Sequence, residues 1–180
     1  MCADYPEKYI ERIKLKDGLE VLLRPIKPED EDMMLELFNT FSERTIRFRF
    51  FIPLREMSRE DVKRYCNIDY RNEMAIVAEI KENGRKRRLV GVARLIRDRE
   101  DRDKAEFAVV VGDPWQNRGL GRKLTEYIIW VAKDMGIKEL YSRVMKDNIV
   151  SLRLSREFGF EREDAGIEYL IRKKIQKKIQ

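Results

Sequence analysis

A run of valines, two glycines and a cluster of cations share one unbroken segment, AEFAVVVGDPWQNRGLGRKL (Ala105–Leu124). Gly119 and Gly121 fall where an apolar, strand-like run gives way to a segment with helical spacing. Backbone N–H groups at a helix start point one way and carry partial positive charge, so this junction suits a phosphate or pyrophosphate. Glycine lets the anion approach without a Cβ in its path. Asn117 tolerates unusual backbone angles, while Arg118, Arg122 and Lys123 add cationic side chains. A plain strand-to-helix turn, with glycines serving packing, is the competing reading of a bare G-x-G. Two common phosphate cradles are excluded, since the segment has neither G-x-x-x-x-G-K-[ST] nor G-x-G-x-x-G.

The 180 residues include no histidine. That removes histidine triads and most catalytic metal sites. Cys2 and Cys66 have no C-x-x-C spacing, so neither a disulfide framework nor a metal site is expected. Carboxylates remain as the natural proton carriers.

The elements that must position these groups are legible in outline. YIERIKLKDGLEVLLRPI reads as two short strands around Lys16-Asp17-Gly18. After Pro28, the acids Glu29, Asp30, Glu31 and Asp32 suit the first turn of a helix, with Met33, Met34, Leu37, Phe38 and Phe41 on its apolar face. SERTIRFRFF is a shorter helical region, and Ser58 opens a third with Asp61 as its capping acid. EMAIVAEI, RLVGVARLI and AEFAVVVG are β-branched runs separated by turns, expected as three successive antiparallel strands. A long helix then buries Leu120, Leu124, Tyr127, Ile128, Val131 and Met135 and ends at Gly136. ELYSRVM is a further strand, Asn148 caps a helix through Phe158, and GIEYLIR closes the sheet. No linker or repeat interrupts the pattern, so a single mixed α/β domain is expected over residues 1–172, followed by a basic tail at 173–180.

Two separated motifs in this order carry a resemblance. QNRGLG (Gln116–Gly121), between a hydrophobic strand and a long helix, resembles the acetyl-CoA signature of the GNAT superfamily of N-acetyltransferases. NIVSLRLSREFGF (Asn148–Phe160) resembles that superfamily's second signature, and the order of elements matches over roughly Leu19 to Arg172. Within the superfamily, LLRPIKPEDE, RFRFFIPLREMS, NIDYRNEMAIVA, VGVARLIRD and SLRLSREFGF are similar to the catalytic domain of bacterial and archaeal protein lysine acetyltransferases. In many bacteria that domain is fused behind an acyl-CoA synthetase-like region, and a stand-alone form is expected here.

The resemblance implies a GNAT fold: a mixed, mostly antiparallel sheet of about six to seven strands flanked by helices, with acetyl-CoA at splayed central strands. It implies that Gln116, Asn117, Arg118, Gly119, Leu120, Gly121, Arg122 and Lys123 cradle the coenzyme pyrophosphate. Asn148, Ser151 and Ser155 become further coenzyme contacts, and Val109 and Val111 offer main-chain groups to pantetheine. Deprotonating an ammonium of pKa about 10.4 at pH 7 costs roughly 4–5 kcal/mol, so acetyl transfer to an amine by direct attack gains from a general base. Glu106, at the start of a very apolar strand, is the first choice; Glu73, at the start of a neighbouring strand, is the second. Apolar walls should make such a carboxylate less acidic. A backbone N–H of Val109 or Val110 meets the oxyanion. Many members carry a Tyr seven residues after the signature Asn, where this chain has Ser155, a poor acid. Thiolate release then rests on water or on the low thiol pKa of the coenzyme. Phe50, Phe51 and Arg55 border the acceptor slot.

Charge limits the partners. Lys+Arg total 39 and Asp+Glu 33, a net charge of +6, yet five of the basic residues fall in Arg172–Gln180 with no acid between them. The body is therefore close to neutral, and nothing forces a nucleic-acid-binding face. Ile171, Ile175 and Ile179 in the tail give a weak amphipathic-helix pattern. No apolar run has the length of a membrane span and the N-terminus lacks a signal-peptide core, so a cytoplasmic protein without membrane association is expected. The expected reaction is acetylation of a protein lysine from acetyl-CoA, with acyl-CoA synthetases and a chromatin protein as family-level acceptors. A GNAT acting on protein N-termini or a small amine, and a non-catalytic acyl-CoA sensor, are the alternatives.

Overall fold

Strands Glu73–Glu82 (β3) and Lys86–Arg97 (β4) are buried on both faces over most of their length. This is why their sequences read as continuous apolar runs and not as alternation. The structure is a computed structural model and describes residues 4–175. Before β3 come Glu11–Lys14 (β1) and Glu20–Pro25 (β2), then three short helices, Glu31–Phe38 (α1), Glu43–Phe50 (α2) and Arg59–Cys66 (α3). After β4 come Lys104–Val111 (β5), the long helix Leu120–Asp134 (α4), Glu139–Met145 (β6), Ile149–Glu157 (α5), Glu161–Asp164 (β7) and Glu168–Lys174 (β8).

The sheet has eight strands in the order β1-β2-β3-β4-β5-β6-β8-β7, antiparallel throughout except for β5 beside β6. The strand beyond the expected count is β7, Glu-Arg-Glu-Asp, exposed at every residue and held by backbone pairing to β8 and by exposed ion pairs of Glu163 with Arg172 and Asp164 with Lys146. A strand that buries nothing leaves no apolar period to read. One core lies between the sheet and α4 with α5, built on Leu95, Phe107, Leu124, Ile128 and Leu152. The other lies under α1–α3, built on Leu37, Phe38, Val62, Val77 and Val110.

Local capping explains where the helices begin. The Ser42 hydroxyl accepts from the Thr45 amide at 3.2 Å, and the Ser58 hydroxyl accepts from the Asp61 amide at 3.0 Å. Asp30 does not act as an exposed first-turn acid. It is 3% exposed and takes two bonds from the Arg24 guanidinium, at 2.7 and 2.8 Å, plus one from the Lys27 amide at 2.7 Å. Arg24 also donates to Glu79 at 2.8 Å, which ties β2 to β3 beneath the helical layer. The tail also differs from expectation. β8 runs through Lys174, pairing Leu140 with Lys173 and Glu139 with Lys174, and the Ile175 amide donates to the Lys138 carbonyl at 2.7 Å. Ile171 is therefore a buried strand residue, since ladder bonds outweigh a short helical period; residues 176–180 lie outside the described residues.

Arg24→Met leaves two buried carboxylates without their cation and should cost about 3–5 kcal/mol of stability in denaturant titration. Arg87 reaches Glu79 from solvent at 3.8 Å, and Arg87→Ala should cost less than about 1 kcal/mol. Equal losses for the two variants would remove the buried cluster from its assigned role.

Candidate active site

β5 and β6 are paired over only three positions, Lys104↔Glu139, Ala105↔Leu140 and Glu106↔Tyr141. Beyond Glu106 each strand keeps its other neighbour: β5 follows β4 to Val111, and β6 follows β8 to Met145. A gap therefore opens between two parallel strands in the middle of the sheet. The Gly112 amide donates to the Val90 carbonyl at 2.9 Å, which fixes which β5 residues face β4. Alternation then turns the N–H and C=O of Val109 and Val111 toward the gap and those of Val110 toward Val92. Of the two amides open for an oxyanion, only that of Val109 faces the gap; the Val110 amide is spent on the ladder. The Val111 carbonyl accepts from Gln116 Nε2 at 3.0 Å.

The glycine loop stands at the far end of the same gap. Asn117 and Gly119 both have left-handed backbones, φ +61° and +86°, and Gly119 is the residue from which α4 starts. Successive amides in such a turn form an anion-binding concavity. Among the described residues, the backbone amides of Asn117 to Arg122 meet no protein acceptor, and the first bond back into the helix runs from Lys123 to Gly119. At Gly112, just upstream, a Cβ would lie 2.6 Å from Thr40 Oγ1 and 2.9 Å from the Trp115 ring, so the chain passes there only as glycine.

The side chains around the loop are engaged with the protein. Gln116 bonds Val111 and, at 3.2 Å, Thr45 of α2, making it a clamp between loop and helix. Arg118 pairs with Asp17, Arg122 with Glu157, and Lys123 with Glu126 at 3.3 Å. Leu120 is fully buried under α4. The pairing with Asp17 brings the β1–β2 turn to the loop, and Lys14 and Lys16 join it around a cleft of about 420 Å³. Sequence reasoning missed those two lysines, because only the tertiary fold places them beside residues a hundred positions away.

Four strands present one row across the sheet, Glu73, Ile96, Glu106 and Tyr141. Glu106 occupies the last paired position before the strands part and lines an open cleft of about 350 Å³ with Ile96, Asp98 and Tyr141. It is exposed, so the apolar enclosure expected around it is not present. Glu73, the second choice, is bound by the Arg94 guanidinium, itself 3% exposed, and its carboxylate is committed there. Burial, with the bond to Asp98, pushes the Tyr141 phenol up to about 12; it stays protonated at neutral pH and donates to Asp98 at 3.0 Å. Burial likewise pushes the Cys66 thiol up to about 12, which removes it as a nucleophile.

The second signature is mainly structural in its side chains. Asn148 Oδ1 accepts from the Ser151 amide at 3.2 Å and caps α5. Ser155 is buried, and its hydroxyl donates to the Leu152 carbonyl at 2.9 Å within the helix. Phe50 packs on Phe38 at 5.9 Å between ring centres, whereas Phe51 ends α2 with φ +63° under the Arg143 guanidinium of β6. Phe51 thus borders the gap, Phe50 belongs to the helical core, and Arg55 is exposed on the loop beyond.

Residues 20–161 match the family described as Acetyltransferase (GNAT) domain. The chain belongs to this family. An acetyltransferase of Pseudomonas aeruginosa is 34% identical over 139 residues, covering 74% of each chain. Acetyltransferase Pat of Mycolicibacterium smegmatis is 28% identical over 86% of this chain, which spans 46% of that protein. The GNAT domain of PAT from S. lividans superposes with a TM-score of 0.86 at 23% identity, over 96% of this chain and all of that one. The GNAT fold expected from the two signatures is the fold observed, with eight strands. Among the described residues no group of three or more His, Cys, Asp or Glu is placed to hold a metal ion, and no helix is long and apolar enough to cross a membrane.

A Cβ on Gly121 meets only Val111 Cγ2, at an ordinary 3.7 Å, so Gly121→Glu should fold. Its carboxylate enters the anion concavity and should weaken acetyl-CoA binding at least roughly tenfold. Calorimetric titration checks this; an unchanged dissociation constant in a folded variant would dismiss the loop as the pyrophosphate cradle.

Proposed function

We propose that this GNAT domain transfers acetyl from acetyl-CoA directly to the ε-amine of a lysine in a protein substrate, with Glu106 as general base. The observation that carries this reading is the position of Glu106, at the point where β5 and β6 part and in a cleft open to solvent. A lysine side chain on a folded protein reaches such a mouth without being engulfed. A small amine would gain more from an enclosed pocket, and this favours the macromolecular acceptor. The similarity of five separate segments to protein lysine acetyltransferase domains adds to it. Acyl-CoA synthetases and a chromatin protein are the proposed acceptors, met in the cytoplasm, with no membrane or nucleic-acid partner.

In the proposed reaction, coenzyme pyrophosphate occupies the amides from Asn117 to Arg122, and pantetheine lies in the gap against Val109 and Val111. Glu106 takes the ammonium proton, directly or through one water. The free nitrogen attacks the thioester carbon, and the Val109 N–H meets the developing oxyanion. The attacking nitrogen gives its second proton to water, the C–S bond breaks with re-formation of the carbonyl, and the thiolate leaves. Water supplies its proton, because the Ser155 hydroxyl is engaged with Leu152.

Glu106→Gln should bind acetyl-CoA as the wild type does and lose about 10²–10⁴ in turnover at neutral pH. Part of that loss should return as pH rises toward the amine pKa of about 10.4, where free amine forms unaided. Mass spectrometry of lysate proteins incubated with acetyl-CoA reads the modified residue. Full turnover in the variant would make Glu106 structural, and acetyl found only on N-termini or small amines would overturn the lysine assignment.

A further inference from the structure

Helix α2 lies across the gap and is fastened at both ends. The Ser42 amide donates to Asp113 at 3.1 Å and Gln116 donates to Thr45, which holds its start to the coenzyme loop. Arg47 pairs with Asp147 and donates to Met145 Sδ at 3.2 Å, which holds its second turn to the end of β6. Arg49 follows buried Ile46 by three residues, so helical spacing turns it inward, toward the sheet. Its guanidinium lies 5.0 Å from the Phe50 ring centre and within Coulombic reach of Tyr65, Arg94 and Glu106.

The neighbouring arginine has all it needs. Arg94 binds the Glu73 carboxylate, donates to the Tyr65 carbonyl at 2.9 Å and stacks on the Tyr65 ring at 5.0 Å. Arg49 is different: among the described residues it forms no hydrogen bond and no ion pair, although burial and the like charge of Arg94 both act against its proton. A guanidinium carries five donors in a fixed fork, and here, on a half-buried side chain, all five are free to meet a ligand. With Glu73 neutralised by Arg94, Glu106 is left as a carboxylate and Arg49, within Coulombic reach of it, as a guanidinium, neither with an ion-pair partner among the described residues. The fork fits a carboxylate in two-point contact.

We propose that Arg49 binds a carboxylate on the acceptor, beside the amine that is acetylated, and so selects amines that carry a neighbouring acidic group. This rests on the reading of the Glu106 cleft as the acceptor site. The carboxylate has two possible sources: an Asp or Glu side chain flanking a lysine in a protein, or the acceptor's own free carboxylate.

Matched acceptor pairs at saturating acetyl-CoA test it. One pair is an end-blocked peptide with Glu beside the lysine against the same peptide with Gln. A second is Nα-acetyl-lysine against its amide, and a third is an α-amino acid against its amide. The carboxylate member of at least one pair should have the higher kcat/KM by about ten- to a hundredfold, mainly through KM. A preference in the first pair places the carboxylate on the flank; a preference in the second or third alone places it on the acceptor itself. Arg49→Gln should bring the ratio to about one, and Arg49→Lys should keep part of it, with the acetyl-CoA dissociation constant of both as in the wild type. A wild-type ratio near one in every pair overturns the proposal and leaves the lysine reading standing. An equal loss for both members of a pair in Arg49→Gln also overturns it, since Arg49 would then serve Glu106 and not the acceptor. Turnover confined to the third pair overturns the lysine reading, and the carboxylate-to-amide ratio of that pair still decides the role of Arg49.

Discussion

Two parallel strands that touch for three residues and then part leave a strip of unmet backbone donors and acceptors in the middle of a sheet. Buried peptide groups without partners are costly, so this strip is sustained only because each strand is pinned from its other side. β5 is pinned by β4 from Ala105 to Val111 and β6 by β8 along all seven of its residues. The opening is thereby a property of the framework and not of a mobile loop. It offers an extended ligand the bonds a missing strand would have made, and a pantetheine arm with two amides has the chemistry to accept them. The glycine loop, the Val109 amide and Glu106 all take their positions from this one parting.

The charges around the opening are arranged in two different ways. At the glycine-loop end, Arg118 and Arg122 are held by Asp17 and Glu157 in exposed pairs, which contribute little to stability and are open to exchange with another anion. At the Glu106 end, Arg94 and Glu73 satisfy each other under cover, which leaves Glu106 and Arg49 as the groups with capacity to spare. A rim that trades partners suits a ligand that arrives and leaves with its own charge. A committed inner pair suits a wall that must not move while bonds change.

The cluster of Arg24, Asp30 and Glu79 stands apart from the chemistry, yet it decides where the helical layer sits. It joins β2, β3 and the turn before α1 in a place with almost no access to water. Helices α1 and α3 pack together over that corner, and α2 extends from it across the gap. The roof over the gap therefore hangs from buried ionic bonds at one side and from the Arg47–Asp147 pair and the Phe51–Arg143 contact at the other.

What the sequence by itself determined was whatever repeats along one chain direction. The apolar runs of β3 to β5, the caps at Ser58 and Asn148, and the left-handed positions Asn117 and Gly119 depend on neighbours a few residues away. All were legible, and the order of elements with the two glycine-bearing signatures was enough for the fold. What the tertiary structure decided was every property that needs a partner from elsewhere. The ladder commits the Val110 amide, Arg94 claims Glu73, and the Leu152 carbonyl holds the Ser155 hydroxyl. β7 shows the same limit from the other side, since a strand exposed at all four residues exists only because β8 is there to pair with it. Side-chain type and spacing encode what a residue prefers, but a hydrogen bond or an ion pair is a property of two groups. Only the fold brings the second group within reach.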